Sequence, residues 1–381
     1  MNVRQWIKKI GIQLIQKIPL REDIILESHP DFSDNALAFY EYLLQKKVNT
    51  RHKIYWAVYN HTLSIPPLPE QVDYFYLDAR GLKQMIKRFL ALYRCKYIFD
   101  SNAYIKKRRS DQVRIHLGHG MLIKITKDYH NMQKIGELDG YLTTSPYWEG
   151  VFTDRIGIPK ECLLPLGYPR TDEMYRYKEE QNYVIWLPTY RQHRLHKGQG
   201  LSVMSPYGMP GIMTQDELQE LDETLKKQGL TMYFRPHPVQ DLSLLHTMTL
   251  DAVTIADDDF LKKHKMTLYQ LLAGAKALLT DYSSVYYDFL LTERPIGLTI
   301  MDSEQYFSMY DCAFPHYEDG IKGSYLYTAQ DIREFIEHLP EERQQHQAEL
   351  RELKTRYVEC SDGRACEKLY HYMKDHYGFD R

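Results

Sequence analysis

The chain has 381 residues, with 49 lysines and arginines against 51 aspartates and glutamates, a formal net charge of −2. That length is too great for one ordinary core and suits two domains of about 150–200 residues. With 43 % apolar and 26 % charged residues, the composition excludes wholesale disorder and fibrous structure, and the missing basic excess excludes a dedicated nucleic-acid binder. The cysteines Cys95, Cys162, Cys312, Cys360 and Cys366 are odd in number and never spaced CxxC. That argues against a zinc ribbon or a disulfide framework and fits a reducing compartment.

No run of about 18 uncharged apolar residues occurs, so no segment reads as spanning a bilayer. In the first 20 residues, Val3, Ile7, Ile10, Leu14 and Ile18 recur at helical spacing among Arg4, Lys8, Lys9 and Lys17, and Pro19 ends the pattern. The interspersed charge and the lack of a small-residue cleavage site argue against a signal peptide. Two arrangements fit. One is an interfacial helix with Trp6 at headgroup depth and cations facing anionic lipid; the other is an amphipathic helix packed on the first domain.

From residue 23 the pattern alternates strands and helices. Strands are expected at 23–28, 53–59, 72–78, 96–101, 113–117, 140–145 and 163–167, with helices at 36–47 and 81–94 between them. After the polar stretch 175–182 a second series follows, with strands at 183–190, 231–238, 252–257, 276–281 and 295–300 and helices at 214–229 and 266–275. The tail from about 328 to 378 reads as helical throughout. Such alternation is the signature of parallel sheets. The fold class expected is α/β, with two Rossmann-like doubly wound domains at 21–175 and 176–381, and ligands beyond the carboxyl ends of the strands, in a cleft between the halves.

Four polar segments stand at expected strand ends. Gly118-His119-Gly120 leaves an imidazole unshielded between two glycines, as a general base requires; a solvated turn accounts for it equally well. His116 and His119 have poor geometry for a metal pair. In Arg235-Pro236-His237-Pro238, prolines lock the chain around His237 beside an arginine, which suits a phosphate. Thr280-Asp281-Tyr282-Ser283-Ser284 joins a strand to a helix and reads as a plain N-cap or as an anion site. Asp288, in that helix, is placed to reach a ribose hydroxyl or to face solvent. Gly167-Tyr168-Pro169-Arg170 lies where the two series meet, and Arg170 is expected to point into the cleft. Asp257, Asp258 and Asp259 read as a solvated turn, with a divalent-metal site as the alternative. The basic loop 191–200 reads as a flap over an anionic substrate or as a surface loop. No GxxxxGK[ST] loop is present, which excludes a P-loop nucleotidase.

In their order these segments resemble the CDP-glycerol glycerophosphotransferase family of bacterial teichoic acid and capsule synthesis, whose members show a WHGTPLK-like loop, SP(Y/F), GYPRND, PTWR, RPHP and TDYSSVYFDF. The counterparts here are Gly118-His119-Gly120 through Lys124, Ser145-Pro146-Tyr147, Gly167-Tyr168-Pro169-Arg170, Pro188-Thr189-Tyr190-Arg191, Arg235-Pro236-His237-Pro238 and Thr280 through Phe289. Gly118 stands where the family has tryptophan, Met121-Leu122 replace Thr-Pro, and Thr171 replaces asparagine. The resemblance implies a GT-B-like fold and transfer of glycerol phosphate from CDP-glycerol to a polyprenyl-diphosphate-linked or glycan acceptor, with release of CMP. It also implies a place in the bacterial cytoplasm, peripheral on the inner face of the membrane. Donors to be distinguished from CDP-glycerol are CDP-ribitol and nucleotide sugars. His119 is expected to act as base, since an imidazole with a pKa of about 6.5 suits that task. His237, Arg235, Ser283 and Ser284 are expected to bind the pyrophosphate. Hydrogen-bond donors of this kind can replace a metal there, so metal-independent activity is expected. Thr280, Asp288, Arg170, Arg191 and Gly120 complete the expected substrate-binding set, with His119 and His237 facing one another across the nucleotide.

Overall fold

The computed structural model describes residues 19–125, 136–189, 205–237 and 240–380. The N-terminal helix expected at 1–20, save its last two residues, lies outside that set, as do Arg191, the loop 191–200 and Pro238. The chain divides into two units. The first holds Met1–His119, Asn131–Asp172 and Cys360–Arg381, and the second holds Gly120–His130 and Glu173–Glu359.

In the first unit, strands β1 (Arg21–Glu27), β2 (Ile54–Val58), β3 (Val72–Tyr76), β4 (Cys95–Asp100), β5 (Val113–His116), β6 (Gly140–Thr143) and β7 (Leu163–Pro165) form one seven-stranded sheet. Its order is β3-β2-β1-β4-β5-β6-β7 and every pairing is parallel. Helices cover both faces of such a sheet, so its strands read as continuous apolar runs; Ile24, Ile25 and Leu26 of β1 are all fully buried. Helix α1 (Asp34–Gln45) follows β1 and seats Phe39 and Leu43 in the core, while α2 (Leu82–Arg94) precedes β4. Each fully buried side chain of that size contributes about 1.5–3 kcal/mol.

The second unit repeats the plan with β8 (Tyr183–Leu187), β9 (Thr231–Phe234), β10 (Val253–Ile255), β11 (Leu278–Thr280), β12 (Ile296–Thr299) and β13 (Ser324–Leu326), in the parallel order β10-β9-β8-β11-β12-β13. Helix α3 (Gln215–Lys227) starts on a capping box in which Thr214 and Glu217 satisfy each other's backbone N–H groups, and it lays Leu218, Leu221 and Leu225 on Val184, Met232 and Phe234. Helix α4 (Val285–Phe289) follows β11.

Two segments depart from the boundary expected at 175/176. Lys124–Ile125, inside the first series, pairs antiparallel with Asp311–Cys312 in the second unit. The closing helix Ala365–Tyr377 belongs to the first unit, where the Asp172 carboxylate caps it by accepting the Ala365 and Cys366 N–H groups at 2.8 and 2.9 Å. The tail is three helices, Ala329–Glu337, Leu339–Val358 and Ala365–Tyr377, rather than one continuous stretch.

Candidate active site

Polar residues gather at the carboxyl ends of both sheets. In the first unit, β5 runs out at His116 into Leu117, Gly118 and His119. Gly118 has φ +72°, and a Cβ there would come within 2.7 Å of the Tyr168 hydroxyl oxygen, so both backbone and space require glycine. His119 follows with its side chain 55 % exposed. Its Nδ1 lies 2.7 Å from Asp34 Oδ2. A carboxylate only accepts, so Nδ1 carries the proton and Nε2 is left as the outward lone pair.

Asp34 is the first residue of α1 and sits at φ +59°, a left-handed conformation that aspartate tolerates better than most residues. Its second oxygen accepts from Arg170 Nη1 at 2.6 Å, and the same nitrogen donates to the His119 carbonyl at 3.0 Å. Asn35, fully buried, donates to the carbonyls of Leu117 and Gly118 at 3.0 and 3.1 Å and accepts the Arg170 N–H at 3.2 Å. Burial opposes ionisation of Asp34, but the Arg170 charge and the His119 contact outweigh it and hold the carboxyl below the usual carboxylate range. The result is a carboxylate-oriented imidazole on a braced loop, the arrangement of a general base.

The expectation that Arg170 reaches toward substrate is corrected. Its side chain is 5 % exposed and is taken up by Asp34 and the His119 carbonyl, so it supports the base from behind. Gly120, the next glycine, has φ +144° and belongs to the second unit.

In the second unit, β9, β8 and β11 are neighbours, and their carboxyl ends carry Arg235, Thr189 and Thr280. Asp281, fully buried, accepts the Thr189 N–H at 2.9 and 2.8 Å and the Thr189 hydroxyl at 2.5 Å. Thr280 is also fully buried, and its hydroxyl donates to the Leu187 carbonyl at 2.8 Å. It serves the sheet, which removes it from the substrate-binding set. Ser283 and Ser284 are half-buried, and Ser284 makes no side-chain capping bond to α4, so the plain N-cap is not what is observed. With five residues, α4 has little dipole to offer an anion; what the two serines present is hydroxyls.

Asp288 is buried and accepts from the Tyr269 hydroxyl at 3.1 Å, which places it within the packing of α4 rather than in solvent. Arg235 donates to the Ala256 carbonyl at 2.8 Å and to Asp258 at 2.6 Å. Asp257 caps the helix Asp258–His264 by accepting the Phe260 N–H at 2.8 Å. The acidic trio is therefore a cap and an arginine partner, and among the described residues no group of three or more His, Cys, Asp or Glu has metal-binding proximity. His237 keeps solvent access, but protein packed around it partly desolvates the ring, and this together with the charge of Lys124 pushes its pKa below the ordinary value. Lys124 donates to the Tyr306 hydroxyl at 2.6 Å and lies 5.3 Å from the ring centres of both Tyr306 and Tyr310.

The family model for CDP-glycerol:poly(glycerophosphate) glycerophosphotransferase matches residues 12–374. The chain belongs to that family. It is 25 % identical over 341 residues to a teichoic acid glycerol-phosphate transferase of Staphylococcus aureus, covering 82 % of this chain and 80 % of that protein. Identity is 22 % to a teichoic acid ribitol-phosphate primase of Bacillus spizizenii, over 70 % of each chain. A solved structure of the wall teichoic acid polymerase TagF shares the fold, with TM-score 0.72, 16 % identity and 98 % of each chain covered. Membership and the α/β fold agree with what the loops alone suggested.

Two residues of this family member escaped the sequence reading as site groups. Asp34 lies 85 positions from His119 in an unremarked helix start, and nothing local marks it except an aspartate at an N-terminus. Lys124 carried a signal, as the lysine closing the glycine-histidine loop, but its electrostatic influence on His237 depends on tertiary pairing.

Proposed function

We propose that this chain moves glycerol phosphate from CDP-glycerol to a hydroxyl of a lipid-linked or glycan acceptor in teichoic acid synthesis and releases CMP. The observation that carries the reading is the Asp34–His119 pair, with Nδ1 held at 2.7 Å and the imidazole 55 % exposed. The acceptor oxygen bonds to the glycerol-bearing phosphorus while His119 Nε2 takes its proton. The bond from that phosphorus to the CMP oxygen breaks, and CMP leaves with the electron pair. Asp34 holds the ring in the productive tautomer and offsets the imidazolium charge.

Lys124, His237, Ser283 and Ser284 bind the pyrophosphate and stabilise the charge that grows on CMP. With its pKa lowered, His237 donates as a neutral ring, and Lys124 supplies the positive charge. Ser283→Ala and Ser284→Ala are each expected to weaken CDP-glycerol binding about fivefold, and Lys124→Ala about tenfold or more. Calorimetry with CDP-glycerol, CDP-ribitol and UDP-sugars checks this; wild-type affinity in all three variants rules out the pyrophosphate assignment. These donors act without a cation, so turnover is expected to survive EDTA.

A lipid-linked acceptor requires a membrane surface, and α2 is suited to one. Leu82, Met85, Ile86, Phe89 and Leu90 are 39–70 % exposed along one side, with Lys83, Lys87 and Arg88 between them and Arg94 at the helix end. Among the described residues no helix is long and apolar enough to cross a bilayer, but this face suits insertion among anionic headgroups. Leu82→Gln/Ile86→Gln/Phe89→Gln is expected to reduce co-sedimentation with phosphatidylglycerol vesicles at least fivefold. Undiminished binding would exclude α2 as the contact.

A further inference from the structure

Open α/β sheets bind ligands where the strand order reverses. In the first unit that point lies between β1 and β4, and neither the base nor the pyrophosphate site uses its strand ends. Glu27, the last residue of β1, is fully buried there; Oε2 accepts the Asn102 N–H at 3.1 Å, while Oε1 has no partner among the described residues. Ser101, just past β4, is buried as well, and its hydroxyl too has no partner among the described residues. Buried polar atoms are normally paired, and two adjacent exceptions call for a ligand or water to complete them.

The same loops carry an aromatic platform. Tyr59 and Tyr104 are 55 % and 49 % exposed and stack with ring centres 5.9 Å apart at 24°. His29 meets their edges at 5.2 and 6.1 Å, and its N–H donates to the Asn102 side chain at 2.7 Å. Tyr104 is close enough to Glu27 to interact with it electrostatically. The surroundings are acidic: Asp31 accepts the Tyr59 and Asn60 N–H groups, Asp100 faces Glu27, and Arg114 is wholly buried and bonded to Asp100.

We propose that this is a saccharide site, in which the tyrosine rings stack on the apolar face of a pyranose and Glu27 and Ser101 bond hydroxyls at its edge. Acidic surroundings disfavour a phosphate, so a neutral sugar is the class that fits. Burial and the Asp100 charge push the Glu27 carboxyl up to about 8, so near neutral pH it offers both a donor and an acceptor. The inference rests on the transferase reading, since the sugar would belong to the acceptor.

Saturation-transfer NMR on the full chain tests it, with N,N′-diacetylchitobiose and methyl β-glucopyranoside as neutral probes and glycerol 3-phosphate as the anionic one. Transfer to pyranose protons is expected, lost in Tyr59→Ala/Tyr104→Ala, whose substituted side chains are exposed. Glu27→Gln, which keeps a donor and an acceptor, is expected to bind within about threefold of wild type and Glu27→Ala at least about tenfold more weakly. No transfer to either saccharide, equal transfer in the tyrosine variant, or glycerol 3-phosphate binding lost with the tyrosines would each overturn the site. CDP-glycerol affinity of the same samples separates the two readings. If it is intact while saccharide binding is absent, this proposal alone fails; saccharide binding without any CDP-glycerol affinity keeps the site and removes the donor assignment.

Discussion

Asp34→Asn is expected to cost kcat nearly as much as His119→Ala, on the order of 10²–10⁴. Asp34 is 9 % exposed and faces His119 Nδ1 and Arg170, so it acts as a positioning residue through the imidazole. An amide can donate to Nδ1, which would leave the proton on Nε2 and remove the lone pair that takes the acceptor proton. Because neither side chain is among the groups proposed to bind the pyrophosphate, CDP-glycerol affinity is expected to stay within about threefold in both variants, which distinguishes a chemical defect from misfolding. Asp34→Glu should recover part of the loss. The pH profile provides a sharper check. Arg170 is the largest influence lowering the Asp34 pKa against burial, and removing its cation from beside the Asp34–His119 pair favours the protonated pair, so in Arg170→Gln the acid limb of kcat moves to higher pH. An Asp34→Asn enzyme with near-normal kcat, or an acid limb unmoved in Arg170→Gln, would reject the dyad.

Arg114→Met is expected to destabilise the protein by about 3–5 kcal/mol, because it leaves Asp100 as an uncompensated buried charge. Both side chains are fully buried, with Arg114 Nη2 donating to Asp100 Oδ2 at 2.5 Å and His116 Nδ1 3.1 Å from the other oxygen. In a unit of this size the loss corresponds to a Tm lower by roughly 10 °C. Its pH dependence has a definite sign. In the wild type, burial opposes Asp100 ionisation but Arg114 and His116 prevail and lower its pKa, so its contribution is present above the unfolded value of about 4 and fades as pH falls below it. Without Arg114, burial raises the same pKa against His116 alone, so the variant loses stability as pH rises above about 4. The gap in Tm between the two proteins should therefore narrow toward pH 4. A Tm change under 2 °C, or a gap that widens on acidification, would contradict this account of the network.

Both experiments concern groups that the amino-acid order does not advertise. The β-branched runs such as DIIL at 23–26 and YVIW at 183–186 show as strands because a parallel strand buried on both faces must be apolar along its length. The glycine and proline punctuation around His119 and His237 shows as loops for equally local reasons. The strand Ser324–Leu326 and the pair Lys124–Ile125 with Asp311–Cys312 are defined by pairing with distant segments, which no local pattern marks.

Among candidate site residues the division has the same origin. His119, His237, Ser283 and Ser284 stand at strand ends, where polarity after an apolar run is visible in one dimension. Thr280 and Arg170 sit at strand-end positions too, yet their side chains turn to the Leu187 carbonyl and to Asp34, partners supplied by other strands and loops. Local composition and periodicity thus establish a doubly wound α/β chain and the places where its loops turn polar. Which carboxylate orients His119, which lysine neighbours His237, and which buried acid lies at the β1–β4 strand ends depend on pairings over tens to hundreds of residues. A hydrogen bond is specified by distance and angle, and chain order constrains neither until the sheet has brought its strand ends together.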